Sequence, residues 1–381
     1  MAKTQLKRWI VAAGVICAFI LIASKFPTTS QAAQQGEKTI DETHKSIVAL
    51  KGLPDSQLRP IMNYFNAALG VQCNFCHVRE NNQMAFDKDH EHKTIAREMI
   101  KMVQEINKTS FNGRNTVTCF TCHQGKANPT AVPALPLPAP PAPPAPPAGM
   151  APGAPGAPPA APPAPPTTEQ IWDKYISAIG GKDAVSRIKT RTLKGTYTSG
   201  NGMTSEFDVK MAATDKIAIT NKSERGESTT VIAGSTGWAK DQRGTRDLGG
   251  ADIAAGKALA EVLDTVKIAE PLPKLDVIRR KMKIGDREAW VLRGAVGQKR
   301  ITLYFDAESG LLLRKVETLG TIVGAIPQQT DFDDYKDVDG VKLPMTIKMA
   351  GVEGGNTGVR KITEVKNNAS IDPSAFSAPA K

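Results

Sequence analysis

The segment from about 127 to 167 consists almost entirely of Pro and Ala and constrains the fold more than any other feature. Its repeated Pro-Ala-Pro-Pro and Gly-Ala-Pro units offer too few bulky apolar side chains to build a core. Such a composition favours extended polyproline II structure, and roughly 40 residues of it span on the order of 100 Å. We therefore expect a spacer between two independently folded halves. A proline-rich ligand for a recognition domain is the alternative.

Residues 1–33 have the pattern of an export signal. A positively charged start is followed by an uninterrupted apolar run, Ile10–Ala23, and then by small residues at Ser30–Ala33 that resemble a cleavage site. The run is shorter than the roughly 20 residues of a membrane-spanning helix, which favours a cleaved signal peptide over an anchor. Either form places the protein in the periplasm or on the outer face of the cytoplasmic membrane. The anchored form would also attach it to the membrane.

Two Cys-x-x-Cys-His motifs, at 73–77 and 119–123, lie before the Pro/Ala segment. In each motif the two thiols are spaced to add across the vinyl groups of a haem, and the following His can bind the iron. The motifs use every cysteine of the chain except Cys17. We predict two covalently attached haem c groups. The predicted attachment residues are Cys73, Cys76, Cys119 and Cys122, and the predicted iron ligands are His77 and His123.

Other uses of these cysteines need weighing. Four cysteines can hold one structural zinc ion, and a single pair can form a redox dithiol or a disulfide. A zinc site made of four cysteines has no use for the histidine that follows both pairs. The chain also carries an export pattern, as expected where c-type haem is attached. These observations favour haem.

The second axial ligand decides whether a haem carries electrons or binds reactants. A helix is predicted before each motif, over 59–70 and 94–107. The apolar face of the first helix consists of Ile61, Met62, Phe65 and Leu69, and that of the second of Ile95, Met99, Met102 and Ile106. A Met on such a face usually only packs into the core.

The two helices are similar when their ends are aligned. Matching Leu69-Gly70 with Ile106-Asn107 places Met62 over Met99. This internal repeat favours Met62 and Met99 as distal ligands, with Met102 as a packing residue and fallback ligand. The weaker candidates are His44, His90 and His92, for which a solvated position is the simpler interpretation.

After the Pro/Ala segment the pattern changes to alternating strands. Strands are predicted at 190–198, 288–293, 300–305 and 311–317, with turns at 306–310 and 337–340 and helices at 169–179 and near 253–263. The predicted architecture is therefore multidomain. A small α-helical dihaem cytochrome c domain at 36–126 precedes the spacer, and an α+β domain at 168–381 is dominated by a curved antiparallel β-sheet. No His or Cys follows position 123, and no catalytic constellation is visible there.

The chain has a formal net charge of +11, which suits an acidic redox protein or a membrane surface as partner. Nucleic acid is disfavoured, because aromatic residues make up only 5% of the chain and no basic-aromatic motif is present. Three hypotheses remain open. They are an electron carrier without enzymatic activity, a dihaem peroxidase with one open axial position, and an envelope protein whose sheet domain holds an apolar ligand or partner.

Three segments, Leu69–His77, Ala96–Asn107 and Val117–Gly125, resemble the cytochrome c subunit of photosynthetic reaction centres. The resemblance covers about 44–126. It implies Met62 and His77 as ligands of haem 1, Met99 and His123 as ligands of haem 2, and electron delivery to a photo-oxidised pigment. The tetrahaem form of that family has four motifs and this chain has two. The expected partners are therefore redox proteins, with a membrane-bound reaction centre or a respiratory complex among them.

The C-terminal half carries a second resemblance. Trp172–Gly181 and Asp333–Pro344 resemble periplasmic domains of the lipoprotein-carrier type. That resemblance implies a curved antiparallel sheet wrapped on helices, which often holds an apolar ligand.

Overall fold

The computed structural model describes residues 37–130, 164–212, 215–264, 275–296, 299–352 and 357–378. The predicted signal or anchor at 1–33 and most of the predicted spacer lie outside these residues. Nearly all of the described residues belong to one compact unit, Lys38–Lys381. Within the described ranges, no helix is long and apolar enough to cross a membrane.

The part of this unit before residue 130 is mainly helical, as predicted. Its elements are α1 (Ile40–Thr43), α2 (Leu58–Leu69), the hairpin β1 (Val78–Glu80) and β2 (Gln83–Ala85), α3 (Glu91–Ser110) and α4 (Cys119–His123). Helix α2 ends where the sequence predicted, because Gly70 adopts the left-handed conformation (φ 65°) that closes a helix without strain on a Cβ.

Helix α3 differs from its prediction at both ends. It begins after His90, whose Nδ1 accepts a hydrogen bond from the backbone N–H of His92 (3.2 Å). It ends at Ser110, so the predicted end at Asn107 is wrong. Asn107 is buried, and its side chain bonds the loop that follows instead of ending the helix. The alignment of Met62 with Met99 therefore loses one of its landmarks.

The part after residue 164 is an antiparallel sheet with three helices, which confirms the predicted sheet. The helices are α5 (Thr168–Ala178), α6 (Lys182–Ser186) and α7 (Gly250–Leu263). The strands are β3 (Thr190–Ser199), β4 (Thr204–Ala212), β5 (Lys216–Ser223), β6 (Gly226–Ala233), β7 (Thr236–Asp241), β8 (Gly244–Asp247), β9 (Asp276–Ile284), β10 (Arg287–Val296), β11 (Lys299–Asp306), β12 (Leu312–Thr321), β13 (Gly324–Val338), β14 (Val341–Gly351) and β15 (Gly358–Asn367).

These 13 strands form one sheet in the order β8-β7-β6-β5-β4-β3-β15-β14-β13-β12-β11-β10-β9. Neighbouring strands are joined as hairpins except at the centre, where the first strand β3 pairs with the last strand β15. The sheet is therefore two meanders side by side.

Helix α5 fills the core of this sheet. Trp172, Tyr175 and Ile179 on its inner face are buried. The rings of Trp172 and Tyr175 contact Phe305 of β11 at centroid distances of 5.4 and 5.2 Å. Spacings of three and four residues place these side chains on one face, so this short amphipathic helix buries its apolar stripe against the sheet.

The helical part and the sheet part also pack against each other. Val323 and Ile326, from the tight turn between β12 and β13 and the start of β13, are buried in the same apolar cluster as Ile61, Tyr64 and Ile100. A second contact lies at α7, where Asp252 pairs with Arg59 of α2. The apolar contacts give the two parts a shared core. Independent folding of each half stays a prediction.

Candidate functional site

The first motif lies in a tight turn between α2 and β1. Cys73 is exposed and Cys76 is half-buried, and both are free thiols. Asn66 of α2 donates a weak hydrogen bond from Nδ2 to the sulfur of Cys73 (3.8 Å). Burial raises the pKa of the Cys76 thiol, and the nearby Lys93 only partly offsets this effect. Neither sulfur is in a disulfide, and Cys73 is exposed and so accessible for a bond to a cofactor.

His77 directly follows the first pair of cysteines and is partly buried. Its Nδ1 atom is buried and has no hydrogen-bond partner within the described ranges. The ring of Phe86 contacts the His77 ring edge to face at 5.1 Å. Burial lowers the pKa of His77, because a low-dielectric setting disfavours the imidazolium. A neutral imidazole is the form that binds iron.

The other histidines have distinct places. The ring of His92 stacks on Phe75 of the first motif at 3.9 Å, and its Nδ1 donates to the Phe75 carbonyl oxygen (2.7 Å). His90 serves as the N-cap of α3. His44 lies apart from the motif and bonds Asp55 through Nε2 (2.9 Å). Of the three weaker candidates, His92 is the one whose hydrogen bond reaches a haem-attachment motif.

The second motif forms the short helix α4. Cys119 is half-buried and burial raises its pKa, while Cys122 is exposed. His123 donates from Nδ1 to the carbonyl oxygen of Lys126 (3.0 Å). That bond fixes the tautomer in which Nε2 carries no proton. Histidines that bind metals usually have this arrangement, with one nitrogen on a carbonyl and the other on the metal.

Asn107 positions the loop that leads into the second motif, a role that sequence reasoning missed. Its Oδ1 accepts from the backbone N–H groups of Thr116 (3.0 Å) and Val117 (2.9 Å), and its Nδ2 donates to the Val117 carbonyl oxygen (2.7 Å). A buried amide that satisfies both of its groups is rigid. The signal in the sequence was a polar residue at a helical position that faces the core.

The predicted methionine ligands lie in different environments. Met62 is half-buried and packs against the apolar cluster of α2. Met99 and Met102 are 40% and 45% exposed, and Ile95 on the same helix is 47% exposed. The buried residues of α3 are instead Ile100, Val103 and Asn107. Three of the four residues of the apolar face predicted for this helix are thus on the surface, and the fourth, Ile106, is half-buried.

An exposed apolar strip of this kind usually marks a binding surface. Ile95, Met99 and Met102 form it on α3, the helix whose Asn107 holds the loop into the second motif. Phe120 inside the second motif is also exposed. A haem is a large flat apolar group that covers such side chains. The unbridged cysteines, the His77 and His123 rings and this strip together fit a covalently attached haem.

In the part of the chain that the structure describes, no three His, Cys, Asp or Glu side chains converge as they would to hold a bare metal ion. The four motif cysteines are also unbridged.

A family model and a curated relative match the part of the chain that carries both motifs. Residues 13–138 match the family model described as photosynthetic reaction centre cytochrome C subunit. The photosynthetic reaction center cytochrome c subunit of Roseobacter denitrificans is 27% identical over 105 residues. That match covers 26% of this chain and 28% of the relative, so the chain spans little more than a quarter of the relative's length. The resemblance predicted from the motifs is confirmed for this segment.

Two solved structures are similar to about half of this chain. A DUF1329 family protein from Desulfovibrio piger is 12% identical with a TM-score of 0.39, and covers 55% of this chain and 96% of its own. A LolA superfamily protein from Nitrosomonas europaea is 12% identical with a TM-score of 0.36, and covers 56% of this chain and 99% of its own.

Proposed function

We propose that this chain is an exported electron carrier with two covalently attached haem c groups, at Cys73–His77 and Cys119–His123. The observation that carries the proposal is the repeated motif itself, with four unbridged cysteines and a His123 ring whose Nδ1 is held by a carbonyl oxygen. The match of residues 13–138 to a cytochrome family supports it. A bound haem supplies one-electron redox chemistry at its iron.

The protein residues have separate tasks in this proposal. The two cysteines of each motif would hold one haem through thioether bonds. His77 and His123 would each supply an iron ligand, and the carbonyl of Lys126 orients His123. Met62 and Met99 are the proposed distal ligands, with Met102 as the fallback. A soft thioether ligand favours ferrous iron and raises the potential above that of a bis-histidine site.

The proposed partners are redox proteins outside the cytoplasmic membrane, in the periplasm or at its outer face. A membrane-bound reaction centre or a respiratory complex fits the family match. The net charge of +11 suits an acidic surface on such a partner. No nucleic acid is part of the proposal.

Mass spectrometry and visible spectra of the exported protein test the proposal. The unchanged chain should carry two haems and show the sharp reduced bands of c-type haem. The double substitutions Cys73→Ser with Cys76→Ser, and Cys119→Ser with Cys122→Ser, should each remove one haem. Cys17→Ser is the matched control and should keep both. Zinc in place of haem would overturn the proposal.

Exposure of the reduced protein to carbon monoxide separates the carrier from the peroxidase alternative. Two haems with filled axial positions should leave the spectrum unchanged. Binding at one haem, together with turnover of hydrogen peroxide, would instead favour an enzyme.

A further inference from the structure

A turn of the sheet part lies inside the helical part, close to the second motif. Val323, in the turn between β12 and β13, is 2% exposed, and Ile326 at the start of β13 is 8% exposed. Both belong to the apolar cluster built around Ile61 and Tyr64 of α2, and Cys119 packs against the same cluster. The sheet part therefore contributes core residues next to a haem-attachment cysteine.

The fit at this turn is close. Gly324 has φ 146°, which side chains rarely adopt, and an added Cβ would lie 2.7 Å from the Tyr64 hydroxyl and 3.1 Å from Cγ2 of Thr118. Thr118 is the residue before Cys119 and the N-cap of α4. The turn thus lies against Thr118, the residue just before the second motif.

A hydrogen bond joins the turn to the loop before the second motif. Asn115 donates from Nδ2 to the carbonyl oxygen of Thr321 (2.6 Å), across 206 positions of sequence. Thr321 is 4% exposed and donates from its hydroxyl to the Gly324 carbonyl oxygen (2.8 Å), which braces the turn. Asn107 holds the next residues of the same loop from the other side.

The first motif has a different set of contacts. Cys73 meets Asn66, Phe75 stacks on His92, and His77 contacts Phe86. All of these residues belong to the helical part. The turn at Thr321–Gly324 therefore meets the residues just before the second motif, and it reaches the helix before the first motif through Tyr64.

We propose that the turn Thr321–Gly324 is a positioning element of the second haem site. This inference rests on the proposed function. The turn holds the loop 115–118 against the core and so keeps the haem at Cys119–His123 shielded from water. The sheet part then sets the potential of the second haem, and its contact with the surroundings of the first haem is the packing around Tyr64 of α2.

The expected direction follows from solvation. Ferric haem carries more charge than ferrous haem, and water stabilises the more highly charged form. Release of the loop would admit water to the second haem and lower its reduction potential. A purely structural contact would change stability without a selective shift of one haem.

The experiment is a spectroscopic redox titration of the full chain. Gly324→Ala introduces the Cβ that collides with Tyr64 and Thr118. Asn115→Ala removes the bond to Thr321 and is the milder variant. Gly340→Ala is the matched control, because it lies in a turn at the other end of β13, has φ 83°, and its Cβ would meet no atom within 4 Å. Each substitution is also placed in chains that lack one pair of motif cysteines, so that each haem is titrated alone.

We expect Asn115→Ala to lower the midpoint of the second haem and leave that of the first unchanged. Gly324→Ala should lower the second midpoint more than the first, because its Cβ also meets Tyr64 of α2. Gly340→Ala should leave both unchanged. If the unchanged chain carries two haems and neither variant moves the second midpoint, this inference is wrong and the proposed function stands. Equal shifts of both haems would also overturn it. A chain that attaches no haem would overturn both.

Discussion

Gly125 donates its backbone N–H to the carbonyl oxygen of Ala68 over 2.9 Å. The residue that follows the second motif by two positions is thereby fixed to the helix that precedes the first motif. Gly70 caps the same helix, and a Cβ added at Gly70 would collide with the backbone oxygen of Gly125. The two motifs share one helix end as a common support.

Substitution of Gly70 should therefore be costly for the helical part. Gly70→Ala adds the strain of a left-handed residue, about 1–2 kcal/mol, and an overpacking cost of typically about 1–3 kcal/mol. Gly113→Ala is the control, because Gly113 has φ 73° and its Cβ would meet no atom within 4 Å. Denaturant unfolding followed by haem absorbance measures both. Equal losses in the two variants would show that the contact with Gly125 contributes nothing.

Asp306 should make the sheet part sensitive to acid. It is 6% exposed and accepts hydrogen bonds from the backbone of Ser309 (2.6 Å) and from Nε of Arg287 (2.7 Å). Burial alone would raise the pKa of Asp306, but the bonds from Ser309 and Arg287 outweigh it and hold this pKa below its ordinary value of 3.8.

A lowered pKa in the folded state means that the stabilisation is fully present above the unfolded pKa. It is lost as the pH falls through the folded value. We expect Asp306→Asn to destabilise the protein at pH 7 by about 1–3 kcal/mol. The difference from the unchanged chain should shrink as the pH falls below about 4. Thermal unfolding followed by circular dichroism measures this, with the exposed turn residue Asp286→Asn as control. A difference that persists undiminished at pH 3 would contradict the assignment.

The sequence was sufficient where the signals are local. Gly70 ends α2 as predicted, and the segment Asp306–Gly310 forms the predicted turn with Gly310 at φ 78°. Alternation of apolar residues predicted the strands, because each of them buries one face on the core. The Cys-x-x-Cys-His motifs are local as well, so their thiols and histidines can be named as candidates without a structure.

The sequence was insufficient where distant segments meet. Nothing local marks Val323 as a neighbour of Tyr64, and apolar periodicity does not name the partner of a face. Periodicity also assigned the face of Met99 to the core, while the structure buries Ile100 and Val103 instead. Asn107 explains part of this difference. Its hydrogen bonds to Thr116 and Val117 offset the free-energy cost of burying a polar side chain, so this side of the helix can face the core.

Cleavage between the two parts tests their shared core. We expect that proteolysis in the Pro/Ala segment produces a coloured fragment and a colourless fragment that elute together on a sizing column. Burial of Val323 and Ile326 in the helical part supports this result. Val323→Asp places a charge in that cluster and should separate the fragments. Met203→Asp, at an exposed position of the sheet part, should not. Separation of the fragments of the unchanged chain would favour independent halves.

Conservative substitution of the methionines tests the distal ligands. Leu keeps the volume of Met and removes its sulfur, so a core position tolerates it at a cost of less than about 1.5 kcal/mol. A ferric haem with a Met ligand has a weak far-red absorption band that depends on the sulfur. Met62→Leu should remove the part of this band that haem 1 contributes. Met99→Leu should remove the part that haem 2 contributes. Met203→Leu, an exposed methionine of the sheet part, is the control.

Met102→Leu decides between neighbouring positions on α3. Met99 and Met102 are similarly exposed, and α3 continues past the predicted end at Asn107, so both residues are tested on equal terms. Loss of the band with Met102→Leu but not with Met99→Leu would show that the ligand is Met102, one turn further along α3. If no methionine substitution affects the band, His90 or His92 is the next candidate, and the bond from His92 Nδ1 to Phe75 places His92 beside the first motif. A bis-histidine haem would then titrate at a lower potential than a haem with a Met ligand.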